Sequence, residues 1–302
     1  MEKFVFTSLV GNQIFGVLNA IMCAVSKANK LYPVSRIILY PTADLQEANG
    51  KIRRGTAVES QNIKQFCEEH NYPPVEIYEF DSRNNIFEDF IKEHLQNDEG
   101  VLFNMEGGMN YAVSQYVSAL VKQKRRAGLL ITDGQYCQTS LLDRDFLLEN
   151  STWDQSIKIP SLDTEEILRI QRTQYTTDRT PTVLSSYISY WLEDSMLPKD
   201  VMTNVTIGAV KADLLWNCGG NHLAMLISPG SSSKDISRAP TEVLARIRNI
   251  SQWAASKPDK KKFYDANCYV LCEKDVHIES LQRESRGKAI PLKSTWGFVS
   301  NT

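Results

Sequence analysis

From residue 4 to residue 133 the chain alternates short, wholly apolar runs with amphipathic ones, and that alternation restricts the fold more than any other feature. "KFVFTSLV", "SRIILYP", "VEIYEF", "GVLFNM" and "AGLLITDG" read as strands. Between them "QIFGVLNAIMCAVSKA", "ESQNIKQFCEEH", "NNIFEDFIKEHLQ" and "NYAVSQYVSALVKQ" carry apolar residues at helical spacing. Strands that are apolar throughout and separated by helices predict a parallel sheet covered on both faces. The predicted fold is a Rossmann-like domain, whose ligands belong beyond the carboxyl ends of the strands.

The pattern changes further on. Residues 138–180 are polar, with "TEEILRIQRTQ" as a short helix and "TTDRTP" as a linker. After Pro181, "VLSSYISYWLEDSML" reads as a helix, and "NVTIGAVKADLLWN" and "HLAMLISP" as two hairpin strands around Gly219 and Gly220. A helix "PTEVLARIRNISQWAAS", a strand "ANCYVLCE" and a helix "IESLQRESRGKAI" follow. The chain of 302 residues is long enough for two domains. The expected layout is a Rossmann-like α/β domain over 1–155, a linker over 156–180, and a second α/β domain over 181–302.

Composition narrows the function classes. Hydrophobic content of 42% and charged content of 23% are those of a globular protein. Net charge of −2 offers no global basic field for nucleic acid, so a polyanion site must be local. The six cysteines form no C-x-x-C pair and the four histidines are dispersed, which argues against zinc and for reduced buried thiols. The start "MEKFVFTSLV" lacks a signal-peptide layout, and no run of 18 apolar residues exists. The expectation is a soluble cytoplasmic protein with no membrane partner and no cofactor.

Two turns fall where such a sheet places its ligand. Ser8, Gly11, Asn12 and Gln13 close the first strand in "SLVGNQ"; Asn104, Glu106, Gly107, Gly108, Met109 and Asn110 close the fourth in "NMEGGMN". Neither matches G-x-G-x-x-G or the P-loop, which disfavours a dinucleotide or NTP cradle. The glycines permit close backbone approach, and Gln13 and Asn110 can read base edges or ribose hydroxyls. Each turn alone also reads as an ordinary tight βα turn; together, at one sheet edge, they favour a ligand. Glu106 poses a question, because a carboxylate at a helix N-terminus can cap the amides itself. Alternatively it turns aside to accept hydrogen bonds from ligand hydroxyl or amino groups and leaves the amides to a phosphate, which is the reading favoured here.

"FTSLVGNQ" and "FNMEGGMN" resemble the two signature turns of CARF domains, the Rossmann-like sensors of cyclic oligoadenylate in type III CRISPR antiviral defence. Close relatives there read approximately S-L-V-G-x-Q and N-x-T-G-G-T-K. The second turn keeps Asn104, Gly107 and Gly108, but Glu106 stands for a threonine and Met109–Asn110 for Thr-Lys. A phosphate counter-charge is thereby lost. The segments "SYISYWLED" and "GAVKADLLWNCGGNHLAMLIS" resemble the core of a PD-(D/E)XK, restriction-endonuclease-like domain, which fuses to CARF in one group of ligand-activated nucleases. That resemblance puts Glu193 at the helix position and Asp213 at the hairpin position of a Mg²⁺ or Mn²⁺ site. The E-x-K is missing, with Ile227, Ser228 and Pro229 in its place. Ribonuclease chemistry of the HEPN type is excluded, since no histidine follows an arginine by five residues.

The resemblance therefore implies a homodimer binding cyclic oligoadenylate, cyclic tetra-adenylate foremost, whose second domain has lost its metal chemistry and relays binding. Two enzymatic alternatives stay open: slow cleavage of the ligand by the first domain, and a metal-dependent nuclease with relocated ligands, Lys211 being the nearest lysine. The basic runs "KQKRR" (122–126) and "KPDKKK" (257–262) read as solvated helix ends or loops.

Overall fold

In the computed structural model the described residues are 3–30, 32–46, 50, 52–81, 87–108, 110–133, 135–142, 155–177, 201–207, 210–217, 219–227, 267–270 and 292–294. The chain divides into two units, Met1–Pro160 and Ser161–Thr302.

In the first unit β1 (Phe4–Val10), α1 (Ile14–Ala24), β2 (Val34–Pro41), the small hairpin β3 (Leu45–Gln46) and β4 (Ile52–Arg53), and α2 (Ala57–Glu69) come first. They are followed by β5 (Val75–Ile77), α3 (Phe87–His94), β6 (Gly100–Asn104), α4 (Asn110–Lys122), β7 (Ala127–Asp133), β8 (Tyr136–Leu142) and β9 (Gln155–Lys158). The sheet runs β5-β2-β1-β6-β7-β8-β9. The first five of these pair parallel, so the strand order reverses between β1 and β6. That is the Rossmann-like order, and the reversal marks where a ligand crevice opens.

The strands form because their residues suit burial on both faces. All seven residues of β1 are buried. Successive side chains alternate: Val5 and Leu9 join Ile38, Tyr40, Val101 and Phe103 in a core packed by Phe87, Ile91, Val113 and Tyr116 of α3 and α4. Tyr116 stacks on Phe103 with centroids 4.3 Å apart. Truncating such a side chain to alanine costs about 3–5 kcal/mol.

The antiparallel strands β8 and β9 extend the sheet beyond β7. Residues 155–158, which composition assigned to the domain end and linker, are thus drawn into the first sheet.

In the second unit α5 (Thr164–Ile170) is capped by Asp163, whose carboxylate accepts from the Glu166 amide at 2.6 Å. Strands β10 (Thr176–Thr177), β11 (Met202–Ile207), β12 (Val210–Asn217), β13 (Leu223–Ile227), β14 (Asn267–Val270) and β15 (Leu292–Ser294) form a mixed sheet in sequence order. The first four are antiparallel neighbours and the last three parallel ones. "NVTIGAVKADLLWN", expected as one strand, is two: Ile207 faces Val210 across an antiparallel pair. The glycine in the middle of the run is the sequence mark of that reversal. Asn217 and Asn221 then fasten the β12–β13 connection to the segment before α5, through Leu162 O at 2.8 Å and Leu162 N at 2.8 Å.

Candidate functional site

The turns after β1 and β6 lie side by side at the reversal point. Ser8 and Asn104 are register partners at the strand ends and are fully buried. The Asn104 amide donates to Ser8 Oγ at 3.1 Å and to Gly16 O at 3.3 Å, and its Oδ1 accepts from the Glu106 amide at 3.2 Å. Ser8 Oγ donates to Leu9 O at 2.8 Å. Both residues were expected to face a ligand; the structure places them beneath the turns, where they tie β1, α1 and the β6 turn together. A buried polar group must be paired internally, and these are.

The glycines record how closely the turns approach. A Cβ on Gly107 would stand 2.0 Å from Leu9 O and 2.3 Å from Ser8 Oγ. Gly108 has φ +96°, and its Cβ would lie 2.8 Å from that of Leu9. A Cβ on Gly11 would meet the Gly108 Cα and N at 3.4 Å, so the two turns touch main chain to main chain. Asn12, Gln13, Glu106, Gly108 and Asn110 are exposed there, and Gly11 is half-buried. Met109 lies outside the described residues.

Gln13 is the N-cap of α1 without a capping side-chain hydrogen bond, and neither α1 nor α4 has an acidic residue in its first turn. The first amides of a helix lack intrahelical partners, and the helix dipole favours an anion at that end.

Glu106 turns to a partner that neither reading of the sequence named. Its carboxylate accepts from the Thr132 amide at 3.1 Å and from Thr132 Oγ1, near the end of β7. It does not cap α4. Sequence reading also missed a third loop at this edge. Thr56 Oγ1 donates to Val10 O at 2.7 Å and accepts from the Thr42 amide at 2.9 Å, while the Gly55 amide donates to Asp44 Oδ1 at 2.6 Å. The signal was "RRGT", an arginine pair before a glycine and a helix-capping threonine.

The second-unit candidates stand differently. Glu193 lies outside the described residues. Asp213 sits on β12 between Ala212 and Leu214, which pair with Val205 and Thr203 of β11; Asn204 between these takes the left-handed φ of 50°. Leu214, the next residue, pairs with Leu226 of β13, a strand that carries no carboxylate or lysine. Among the described residues, no group of three or more potential ligands is placed to hold a metal ion. Lys211 is two residues from Asp213 on the same strand.

Several other charged and thiol groups among the described residues have structural partners or are buried, while the second basic run, 257–262, lies outside the described residues. Of the first basic run, Lys122 pairs with Glu88, Arg125 donates to Leu95 O and Gln96 O, and Arg126 lies 5.6 Å over the Phe4 ring. At the opposite, amino-terminal edge of the sheet, Arg36 bridges Glu76 at 3.0 Å and Glu99 at 2.7 Å. Burial opposes ionisation of both carboxyls. For Glu76 the hydrogen bonds from Tyr78 and Arg36 outweigh it, and for Glu99 those from Arg36 and the Gln96 amide do, so both stay below the ordinary range. Cys23, Cys67 and Cys137 are free and buried, and burial pushes the Cys67 thiol up to about 12. Among the described residues, no helix is long and apolar enough to cross a membrane.

No protein-family model and no curated protein sequence matches the chain. Solved structures do. Can2 from Sulfobacillus thermosulfidooxidans, in complex with cyclic tetra-adenylate, aligns with TM-score 0.59 at 11% identity over 96% of this chain and 93% of its own. A type III CRISPR defence DNA nuclease activated by cyclic oligoadenylate aligns with TM-score 0.53 at 11% identity, over 96% of this chain but 42% of that longer protein. Protein VC1899 from Vibrio cholerae aligns with TM-score 0.55 at 8% identity, over 96% and 93%. These likenesses are of fold: a Rossmann-like, mostly parallel α/β unit followed by a second unit built on a mixed sheet.

Proposed function

We propose that this chain is a cyclic oligoadenylate sensor of type III CRISPR defence. Its ligand is cyclic tetra-adenylate, held between two copies of the chain. The carrying observation is the contact of two glycine turns at the strand-order reversal, each opening a helix whose first amides have no acidic neighbour. Main-chain amides at that point suit phosphate, and Can2, of like fold, was solved with cyclic tetra-adenylate. A cyclic tetranucleotide has two-fold symmetry, so an isologous dimer offers the same turns to both halves. A dimer face at this edge also agrees with where apolar surface lies. Among the described residues the exposed large hydrophobics are Ile52, Val58, Tyr111 and Tyr136, all on elements at the carboxyl ends of the parallel strands. The second unit, whose sequence lacks the E-x-K, relays binding rather than cutting nucleic acid.

Titration calorimetry with cyclic tri-, tetra- and hexa-adenylate, with sedimentation of the same samples, tests this. Tightest binding of the tetra-adenylate at one ligand per two chains is the expected result. No binding of any ring removes the proposal, and one ligand per monomeric chain removes the shared pocket.

A further inference from the structure

The two turns present main-chain amides and one carboxylate, Glu106, to a ligand that carries a negative charge on every phosphodiester. Amides alone do not balance that charge, and the lysine of the resembled second turn is absent here, Asn110 standing in its place. A cation has to come from another element at the same edge. Most described cations of the first unit are disposed elsewhere, toward the opposite end of the sheet: Lys3 precedes β1, Lys27 and Lys30 follow α1, Lys92 is in the last turn of α3, and Lys122 through Arg126 end or follow α4. Lys158 is at the correct edge but on β9, three strands beyond β6 and therefore about 14 Å away across the sheet.

Arg54 is placed otherwise. It stands in the loop between β4 and α2, exposed, with no hydrogen bond or ion pair among the described residues. The loop is fixed. Gly55 packs so tightly that a Cβ there would fall 2.0 Å from Thr42 O, and its amide is held by Asp44. Thr56 is bonded to Val10 O at 2.7 Å, the residue immediately before Gly11. Arg54 is two residues from that anchor, at most about 7 Å of extended chain. A surface arginine on a loop with this many fixed points, and with no carboxylate of its own, is a charge held ready for an anion.

We propose that Arg54 is the phosphate-binding cation of the site. It would take a phosphodiester of the ring alongside the turns after β1 and β6, and supply the counter-charge that the second turn lacks. The loop of residues 54–56 then forms a third wall of the pocket, and each copy in a dimer contributes one guanidinium. This rests on the cyclic oligoadenylate reading given above.

The test is a titration of the full chain with cyclic tetra-adenylate at several salt concentrations, for wild type, Arg54→Ala and Arg54→Lys. Arg54→Ala should bind tenfold or more weakly, and its plot of log affinity against log salt should be shallower by roughly one per chain. Arg54→Lys should keep the wild-type slope at reduced affinity, because it retains the charge without the two-pronged geometry. Thermal unfolding of all three should coincide, since Arg54 makes no contact that its removal breaks. If Arg54→Ala binds with wild-type affinity and slope, the assignment of Arg54 is wrong while the sensor reading stands. If wild type itself binds no ring at low salt, the sensor reading fails and Arg54 falls with it.

Discussion

Gly107 offers the sharpest perturbation of the site. Its Cβ in Gly107→Ala would lie 2.0 Å from Leu9 O and 2.3 Å from Ser8 Oγ. Cβ atoms do not approach other heavy atoms within 3.0 Å, so the turn must retreat from β1 by about 1 Å. Neither obstacle can swing away. One is main chain of a strand paired on both sides, and the other is a buried hydroxyl already bonded to Asn104 and Leu9 O. Overpacking costs about 1–3 kcal/mol where side chains can yield, and this site belongs at the upper end. For a unit of this size, about 3 kcal/mol lowers the unfolding temperature by roughly 6–12 °C. The same retreat separates Gly108 from Gly11 and moves the first amides of α4 by ångström-scale amounts. Misplacement of that order costs about a hundredfold where geometry must be met. Differential scanning calorimetry of the full chain and ligand titration read the two effects separately. Gly11→Ala is the control: its Cβ meets Gly108 at 3.4 Å, ordinary contact, and its backbone is not left-handed, so stability should change by less than about 1 kcal/mol. A Gly107→Ala protein that melts and binds like wild type would refute the packing argument.

Glu106 faces the site with its charge but bonds to Thr132, so Glu106→Gln should tighten cyclic oligoadenylate binding a few-fold at low salt, with the gain fading as salt rises. Weaker binding at every salt concentration would instead mean that the carboxylate touches the ligand. Arg36→Met should destabilise the first unit by about 1–3 kcal/mol at neutral pH, because Glu76 and Glu99 are left ionised and half-buried without their cation. Their folded-state values lie below the ordinary 4.5, so the stabilisation they give wild type is present above that value and drains as pH falls through the folded values. The mutant deficit should therefore shrink as the pH is lowered below 4.5 in urea titrations; a deficit independent of pH would discard the ion-pair explanation. Ligand-loaded protein with Mn²⁺ should leave plasmid and RNA intact, and cutting that disappears on Asp213→Ala would reinstate a working metal site in the second unit.

The parallel sheet was legible because its strands are buried on both faces, which forces uninterrupted apolar runs such as "FVF" and "IILY". β8 and β9 were not, since "YCQTSLL" and "QSIK" mix polar and apolar residues as partly exposed antiparallel strands do. Glycine, read in the β6 turn as close approach, was passed over at 208, where the same residue type separates β11 from β12.

The site shows the same division on a smaller scale. Gly107 and Gly108 announced a tight main-chain contact from sequence alone, because no other residue fits there. Which polar side chains would face the ligand did not follow, because that depends on partners distant in sequence. Asn104 is turned inward by a serine 96 residues before it, and Glu106 is turned sideways by a threonine 26 residues after it. A pocket built from amides leaves glycines as its sequence mark. The side chains that set its charge leave none, since nothing in the local pattern distinguishes Arg54 from any other arginine in a loop. Its distinction comes from Thr56 being tied to Val10, a contact spanning 46 residues. Changes in ligand preference within such a fold should therefore arise at loop positions like 54 and 106, which leave the glycine frame untouched.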